Sequence, residues 1–199
     1  MKKVLIASNN LGKIREIAGI LAELDIVVVG QRELGVGEVE ETGVTFIENA
    51  IIKARHASLC SGLPALADDS GLEVDALDGH PGVYSARFAG PGACDADNNA
   101  KLIESLRQAG PGPLTARFRC VMVYLRHPED PSPVIGEGVW EGEILREAHG
   151  VGGFGYDPYF WVPQAGCTVA EMDEMTKNRM SHRGAALRSL LRSLRENHV

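Results

Sequence analysis

The sequence predicts an α/β fold built on a mixed β-sheet, and three observations carry that prediction. Short apolar strands near the N-terminus alternate with amphipathic helical stretches, the pattern of parallel βαβ units. Two longer segments, 115–126 and 134–145, alternate with a period of two on either side of a Pro-rich turn, the pattern of an antiparallel hairpin. Finally, 199 residues, 44% of them hydrophobic and 24% charged, suffice for one well-buried core, whereas two full domains would be crowded.

The first strand is read at 4–7. It feeds Ser8-Asn9-Asn10-Leu11-Gly12-Lys13 and then a helix whose Ile14, Ile17, Leu21 and Leu24 recur at helical spacing. A strand running through a polar turn into a helix N-terminus is a natural phosphate cradle, because the first N–H groups are unpaired and the helix dipole favours anions. Lys13 adds a point charge. Ser8 and Asn9 read equally well as ordinary cap residues.

A second strand is read at 26–29. Glu38, Glu40 and Glu41 follow, just before a helix that Thr45 and Glu48 open as a capping box. Asn49 and Lys53 share a face of that helix, being four apart. A solvated acidic loop and a surface lysine are the plain reading of this stretch; a metal site is the sharper one.

The segment 63–75, Leu-Pro-Ala-Leu-Ala-Asp-Asp-Ser-Gly-Leu-Glu-Val-Asp, reads as a buried strand delivering Asp68 and Asp69 to its exposed end. Adjacent like charges there raise each other's pKa and call for a cation or a proton. Oxygen donors without a His or Cys pairing point to a hard ion, Mg²⁺ or Mn²⁺. Taken alone, Asp-Ser-Gly also reads as a turn cap.

Residues 78–92 are irregular and Gly/Pro-rich around Val83-Tyr84-Ser85-Ala86-Arg87, where Arg87 could clamp a phosphate or pair with an acid. A helix is read over 98–108 with Leu102, Ile103 and Leu106 inward. In the hairpin, Gly136, Gly138 and Gly142 suggest a bent or bulged strand. The Gly-rich segment 150–158 carries Phe154 and Tyr156, either of which could stack on a flat base; a core anchor is the other reading of Phe154. Thr168 and Glu171 form a capping box for a short helix. Lys177 precedes a last helix with Leu187, Leu190, Leu191 and Leu194 inward and Ser181 as N-cap. His182 and Arg183 in its first turn oppose the helix dipole, which suggests a ligand-facing role.

A net charge of -7 argues against binding a nucleic-acid backbone. No apolar run reaches the length of a membrane span, and the stretch after Met1-Lys2-Lys3 is too short for a signal peptide, so a cytoplasmic protein is the simplest expectation. Cys60, Cys94, Cys120 and Cys167 form no Cys-x-x-Cys pair and are read as small buried or half-buried hydrophobes.

Seven motifs in order resemble those of the pyrophosphatases that act on non-standard purine nucleoside triphosphates, the inosine triphosphate pyrophosphatases. They are 8–13, 40–43, 46–50 with Lys53-Ala54, 67–72, 81–87, 153–158 and 181–183. The resemblance covers nearly the whole chain and implies a single domain over 1–199, with a long bent mixed sheet, helices around it, and the site in a cleft between two lobes. It implies a homodimeric cytosolic enzyme that hydrolyses ITP, dITP and XTP to the monophosphate and pyrophosphate. Asp69 matches the general base and a Mg²⁺ contact, Glu40 the metal ligand, with Glu41 and Asp68 as further candidates. Ser8, Asn9, Asn10, Leu11, Gly12, Lys13 and Ser70 match positions near the phosphates. Phe154, Gly155, Tyr156, Asp157, Lys177, His182 and Arg183 match positions around the nucleotide and its base. Lys53 is assigned from its position, as a cation for the leaving charge. A related enzyme for modified pyrimidine nucleotides and a nucleotide sensor without turnover are the alternatives; the intact acidic pairs speak against the sensor.

Overall fold

The computed structural model describes residues 2–21, 26–110 and 112–196. Its strands form one seven-stranded sheet in the order β2-β1-β3-β4-β5-β6-β7. The strands are β1 (Lys2–Ile6), β2 (Ile26–Gly30), β3 (Ala65–Val74), β4 (Thr115–Leu125), β5 (Val134–Ile144), β6 (Phe160–Val162) and β7 (Cys167–Thr168). β1 pairs in parallel with β2 and with β3, while β6 is antiparallel to β5 and to β7. The sheet is therefore mixed, as expected, and the fold is α/β.

Two compact units divide the chain. Unit 1 comprises 1–69, 120–138 and 182–199; unit 2 comprises 70–119 and 139–181. Each has its own hydrophobic cluster, so the single core expected from length is in fact two.

In unit 1, α1 (Leu11–Leu21), α2 (Phe46–Ser61) and α5 (His182–Glu196) accompany the parallel strands. Ile17 of α1 and Ala186, Leu187 and Leu190 of α5 join Val4, Ile6, Leu66, Cys120 and Met122 in one cluster. Leu24 lies outside the described residues, as does the side chain of Leu21. α2 starts at the predicted box: the Glu48 N–H donates to Thr45 Oγ1 at 3.3 Å, and the Thr45 N–H donates to Glu48 Oε2 at 2.9 Å. Its small residues Ala50, Ala54 and Ala57 are buried. Residues of both parities along β1 and β3 are buried here, and from Cys120 onward so is every residue of β4. Val121, in the same alternating set as Arg117 and Arg119, is therefore inside.

Unit 2 holds α3 (Asp95–Ser105) and α4 (Glu174–Met180). The helix read over 98–108 begins three residues earlier: the Cys94 N–H donates to Asp97 Oδ2 at 2.9 Å, an N-terminal closure hidden from a reading of Ser, Thr or Asn caps. It ends in a 3₁₀ turn over Leu106–Gln108 rather than at Gly110. The Thr168/Glu171 box opens only a 3₁₀ turn, Val169–Glu171. On β4 the outward Arg117 and Arg119 pair with Asp75, Glu141 and Glu73, so alternation holds in this half of the strand.

Gly136, Gly138 and Gly142 sit in a strand, β5, whose more and less buried positions alternate along its whole length. They lie on the buried face, and they are glycines because something packs against their backbone. A Cβ on Gly138 would strike His182 O and lie 2.5 Å from Ala186 N; one on Gly136 would strike Ala186 O. In unit 2, a Cβ on Gly142 would meet the Phe160 ring and Trp161 O at 2.5 Å. The cysteines are all free, but Cys60 and Cys94 are exposed, against the expectation of burial. Cys120 is inside, and burial pushes its thiol up to about 12.

Candidate active site

β3 does not end at the carboxylates. It runs straight through them, and Asp68 and Asp69 are 2% and 5% exposed in mid-strand. Successive side chains of a strand point to opposite faces, so the two acids meet different partners. Lys13 Nζ lies 2.8 Å from Asp68 Oδ2, and Arg183 Nε lies 3.8 Å from the same oxygen. On the other face α2 supplies both partners of Asp69: Lys53 Nζ donates to Oδ1 at 2.8 Å and Asn49 Nδ2 to Oδ2 at 3.3 Å. Lys53 also lies 2.8 Å from Glu41 Oε1.

The two carboxyls do not raise each other's pKa as expected: Asp69 is raised, but chiefly by burial, and Asp68 is lowered. Burial pushes Asp69 up, outweighing Lys53. Burial would raise Asp68 as well, but Lys13, Arg183 and Lys53 outweigh it and hold that carboxyl well below the usual range. Lys53 loses solvation too, yet Asp69, Asp68 and Glu41 keep its ammonium charged beyond the ordinary lysine range. Two adjacent carboxylates are thus pushed in opposite directions by their surroundings, Asp68 toward the ionised form and Asp69 toward the protonated one.

Asn49 is a site residue that sequence reading passed over. Fully buried, it accepts the Gly43 N–H on Oδ1 at 2.8 Å while its amide nitrogen faces Asp69. A Cβ on Gly43 would lie 2.6 Å from Glu48 Cβ, so only glycine lets the 40–43 segment reach this amide. The signal was present, since Asn49 sits one turn before Lys53 on the same face.

The 8–13 turn is capped from within. Asn10 Oδ1 accepts the N–H groups of Gly12 and Lys13 at 2.9 and 3.1 Å, and Ser8 Oγ accepts that of Asn10 at 3.2 Å. The expected open cradle is therefore filled by its own side chain here, and Lys13 carries its positive charge. Asn9 donates to Glu38 and accepts from Arg32. The side chain of Leu11 lies outside what is described. Ser70, half-buried, follows Asp69 on β3.

Among the described residues, no three His, Cys, Asp or Glu side chains gather as a metal cage. Glu40 is exposed, whereas Glu41 shares Lys53 with Asp69. Two carboxylates converging on one cation, with only oxygen donors, fit Mg²⁺, which binds through one or two carboxylates plus substrate phosphates and needs no all-protein cage.

Unit 2 holds Phe154, Gly155, Tyr156, Asp157 and Lys177, whereas His182 and Arg183 belong to unit 1. Asp157, 4% exposed, accepts the Phe154 N–H on Oδ2 at 2.9 Å and Lys177 Nζ on the same oxygen at 2.9 Å. Lys177 also stands over the Phe154 ring, 4.4 Å from its centre. Gly153, at φ +75°, leaves no room for a Cβ against Asp157. Tyr156 is the core anchor of this loop: it is buried and its hydroxyl donates to Ser85 O at 2.8 Å, while Phe154 is half-buried. Arg87 stands over the Tyr84 ring at 5.4 Å. Ser181 closes α4 with its N–H on Lys177 O and stands directly before α5, where His182 and Arg183 are 6% and 3% exposed.

The Ham1 family model matches residues 4–193. The chain belongs to the Ham1 family. Among Ham1-family relatives, the dITP/XTP pyrophosphatase of Thioalkalivibrio sulfidiphilus is 56% identical over 96% of this chain and 98% of its own. That of Vibrio cholerae is 52% identical over the full length of both. The solved HAM1 protein of Coxiella burnetii, 49% identical, superposes with a TM-score of 0.92 over 98% of this chain and 100% of its own. No helix among the described residues is long and apolar enough to cross a membrane.

Proposed function

We infer that this Ham1-family chain is a nucleoside triphosphate pyrophosphatase, hydrolysing deaminated purine nucleotides such as dITP, XTP and ITP to the monophosphate and pyrophosphate. The observation that carries the mechanism is the division of labour within Asp68-Asp69. Cutting between the α and β phosphorus needs a water aimed at the α-phosphorus and a group to take its proton. Asp69, raised by burial, is the acceptor. Lys53, 2.8 Å from it, keeps the carboxylate oriented and stays charged. Lys13 and Lys53 supply positive charge for the leaving pyrophosphate.

Mg²⁺ would be held by Asp69 with Glu41 or Glu40, Asp68 standing by, and when bound it lowers the pKa of water and neutralises phosphate oxygens. Mn²⁺ has the same oxygen preference. Ser8, Asn9, Asn10, Leu11, Gly12 and Ser70 line the phosphate side of this proposal. Phe154 with Gly155, Tyr156, Asp157 and Lys177 supports the base. Hypoxanthine and xanthine carry an oxygen at position 6 where adenine carries an amino group. A donor from Arg183 or His182 would pair with that oxygen and face another donor in adenine, a mismatch of about 1 to 3 kcal/mol. One family model spanning both units supports a single catalytic domain over 1–199; a homodimer in the cytoplasm belongs to the same proposal.

Hydrolysis of dITP in ¹⁸O-water tests the route. Label in the monophosphate supports attack at the α-phosphorus. Label in pyrophosphate would refute it.

A further inference from the structure

We propose that Asp95 and Asn99, on the first turns of α3, are positioning residues for nucleobase recognition, acting by clamping Gly155 beside Phe154. The idea rests on the reading of Phe154 as the base-stacking ring. The Gly155 N–H donates to Asp95 Oδ2 at 2.7 Å, and Asn99 Nδ2 donates to Gly155 O at 2.9 Å. Residues four apart share a helix face, so one face of α3 takes both backbone polar groups of a single residue. Gly155 is at φ +61°, a left-handed conformation that sets the direction of the chain directly after Phe154. On the other side the Phe154 N–H is bound by Asp157. The two peptide N–H groups flanking the ring-bearing residue are thereby both fixed.

The same helix holds a second segment. Asn98, 3% exposed, accepts the Ala89 N–H at 2.8 Å and donates to Ala86 O at 3.2 Å. That segment includes Ser85, whose carbonyl accepts the Tyr156 hydroxyl at 2.8 Å. Burying an amide costs free energy unless it is hydrogen-bonded; both groups of Asn98 and the amide nitrogen of Asn99 bond to loop backbone rather than to the helix, while Asn99 Oδ1 is buried without a hydrogen-bond partner among the described residues. Leu102 and Leu106, fully buried, anchor this part of the chain in the core of unit 2. A binding loop held by a packed helix is preorganised.

The test measures pyrophosphate release from dITP, XTP and ATP by the wild type and by Asp95→Ala, Asp95→Asn, Asn99→Ala and Phe154→Ala, with the Tm of each. Asp95→Ala and Asn99→Ala are expected to raise KM for dITP and XTP by about tenfold with kcat little changed, the loss of one well-placed hydrogen bond. Preference for dITP over ATP should narrow in parallel with Phe154→Ala. Asp95→Asn keeps an oxygen acceptor for the Gly155 N–H and should restore most of the KM. A lowered Tm with KM and preference unchanged would reduce the clamp to a structural role and overturn the proposal. A raised KM in Phe154→Ala alone would sink the clamp and spare the base-stacking reading; a wild-type KM in Phe154→Ala would sink both.

Discussion

Asp68 and Asp69 are adjacent in the chain, yet Lys13 holds one and Lys53 the other, each at 2.8 Å and from opposite faces of β3. This separation is what allows two neighbouring carboxylates to be buried together. It also divides their proton affinities, which gives the first prediction. In carboxyl ¹³C NMR of the metal-free protein, Asp69 should titrate above the ordinary aspartate value of about 3.9 and Asp68 should stay ionised below it. As pH falls, Asp69 therefore takes up its proton first. Equal midpoints would contradict the division.

If Asp69 accepts the proton of the attacking water, Asp69→Asn should lower kcat by about 10² to 10⁴. The substitution is nearly isosteric, so Kd for XTP should change little. Single-turnover rates with a separate binding measurement distinguish chemistry from affinity, and a near-normal rate would remove Asp69 from that role.

Asn49 joins Asp69 to the Gly43 N–H. Asn49→Leu keeps the volume, removes both bonds, and leaves the half-buried Gly43 N–H and Oδ2 of the buried Asp69 each without the Asn49 partner; it should lower Tm and cost about 1 to 3 kcal/mol of stability. Urea unfolding measures this, and an unchanged midpoint would show that the 40–43 segment is held by other contacts.

Gly138→Ala places a methyl group against the backbone of α5. Backbone cannot rotate away as a side chain can, so overpacking should cost about 1 to 3 kcal/mol. Gly37→Ala, where nothing lies within 4 Å, should be close to neutral. Thermal melts of the two variants provide the comparison, and equal Tm values would mean α5 adjusts freely.

Much of this was legible in the sequence because it is local. The parallel strands, the Thr45/Glu48 box and the face shared by Asn49 and Lys53 all follow from short-range periodicity. Period-two alternation already implied that Asp68 and Asp69 diverge, but apolar residues followed by two acids read as a strand reaching solvent. The basic partners that make burial tolerable, Lys13 and Arg183, come from distant parts of the chain, and no spacing rule links them to Asp68. The β5 glycines have non-local neighbours for the same reason: Gly136 and Gly138 lie against a helix from the far end of the sequence and Gly142 against Phe160 and Trp161, contacts that no local spacing reveals. Asp95 and Asn99 fell outside any motif because their partner is backbone, which leaves no mark in side-chain identity.

The most direct test of the central claim is pyrophosphate release from dITP, XTP, ITP, ATP and GTP, with Mg²⁺ and with EDTA, by wild type and Asp69→Asn. The account predicts fast, Mg²⁺-dependent release confined to dITP, XTP and ITP and lost in Asp69→Asn. Release of orthophosphate instead, equal rates on ATP, or an Asp69→Asn variant as fast as wild type would contradict it.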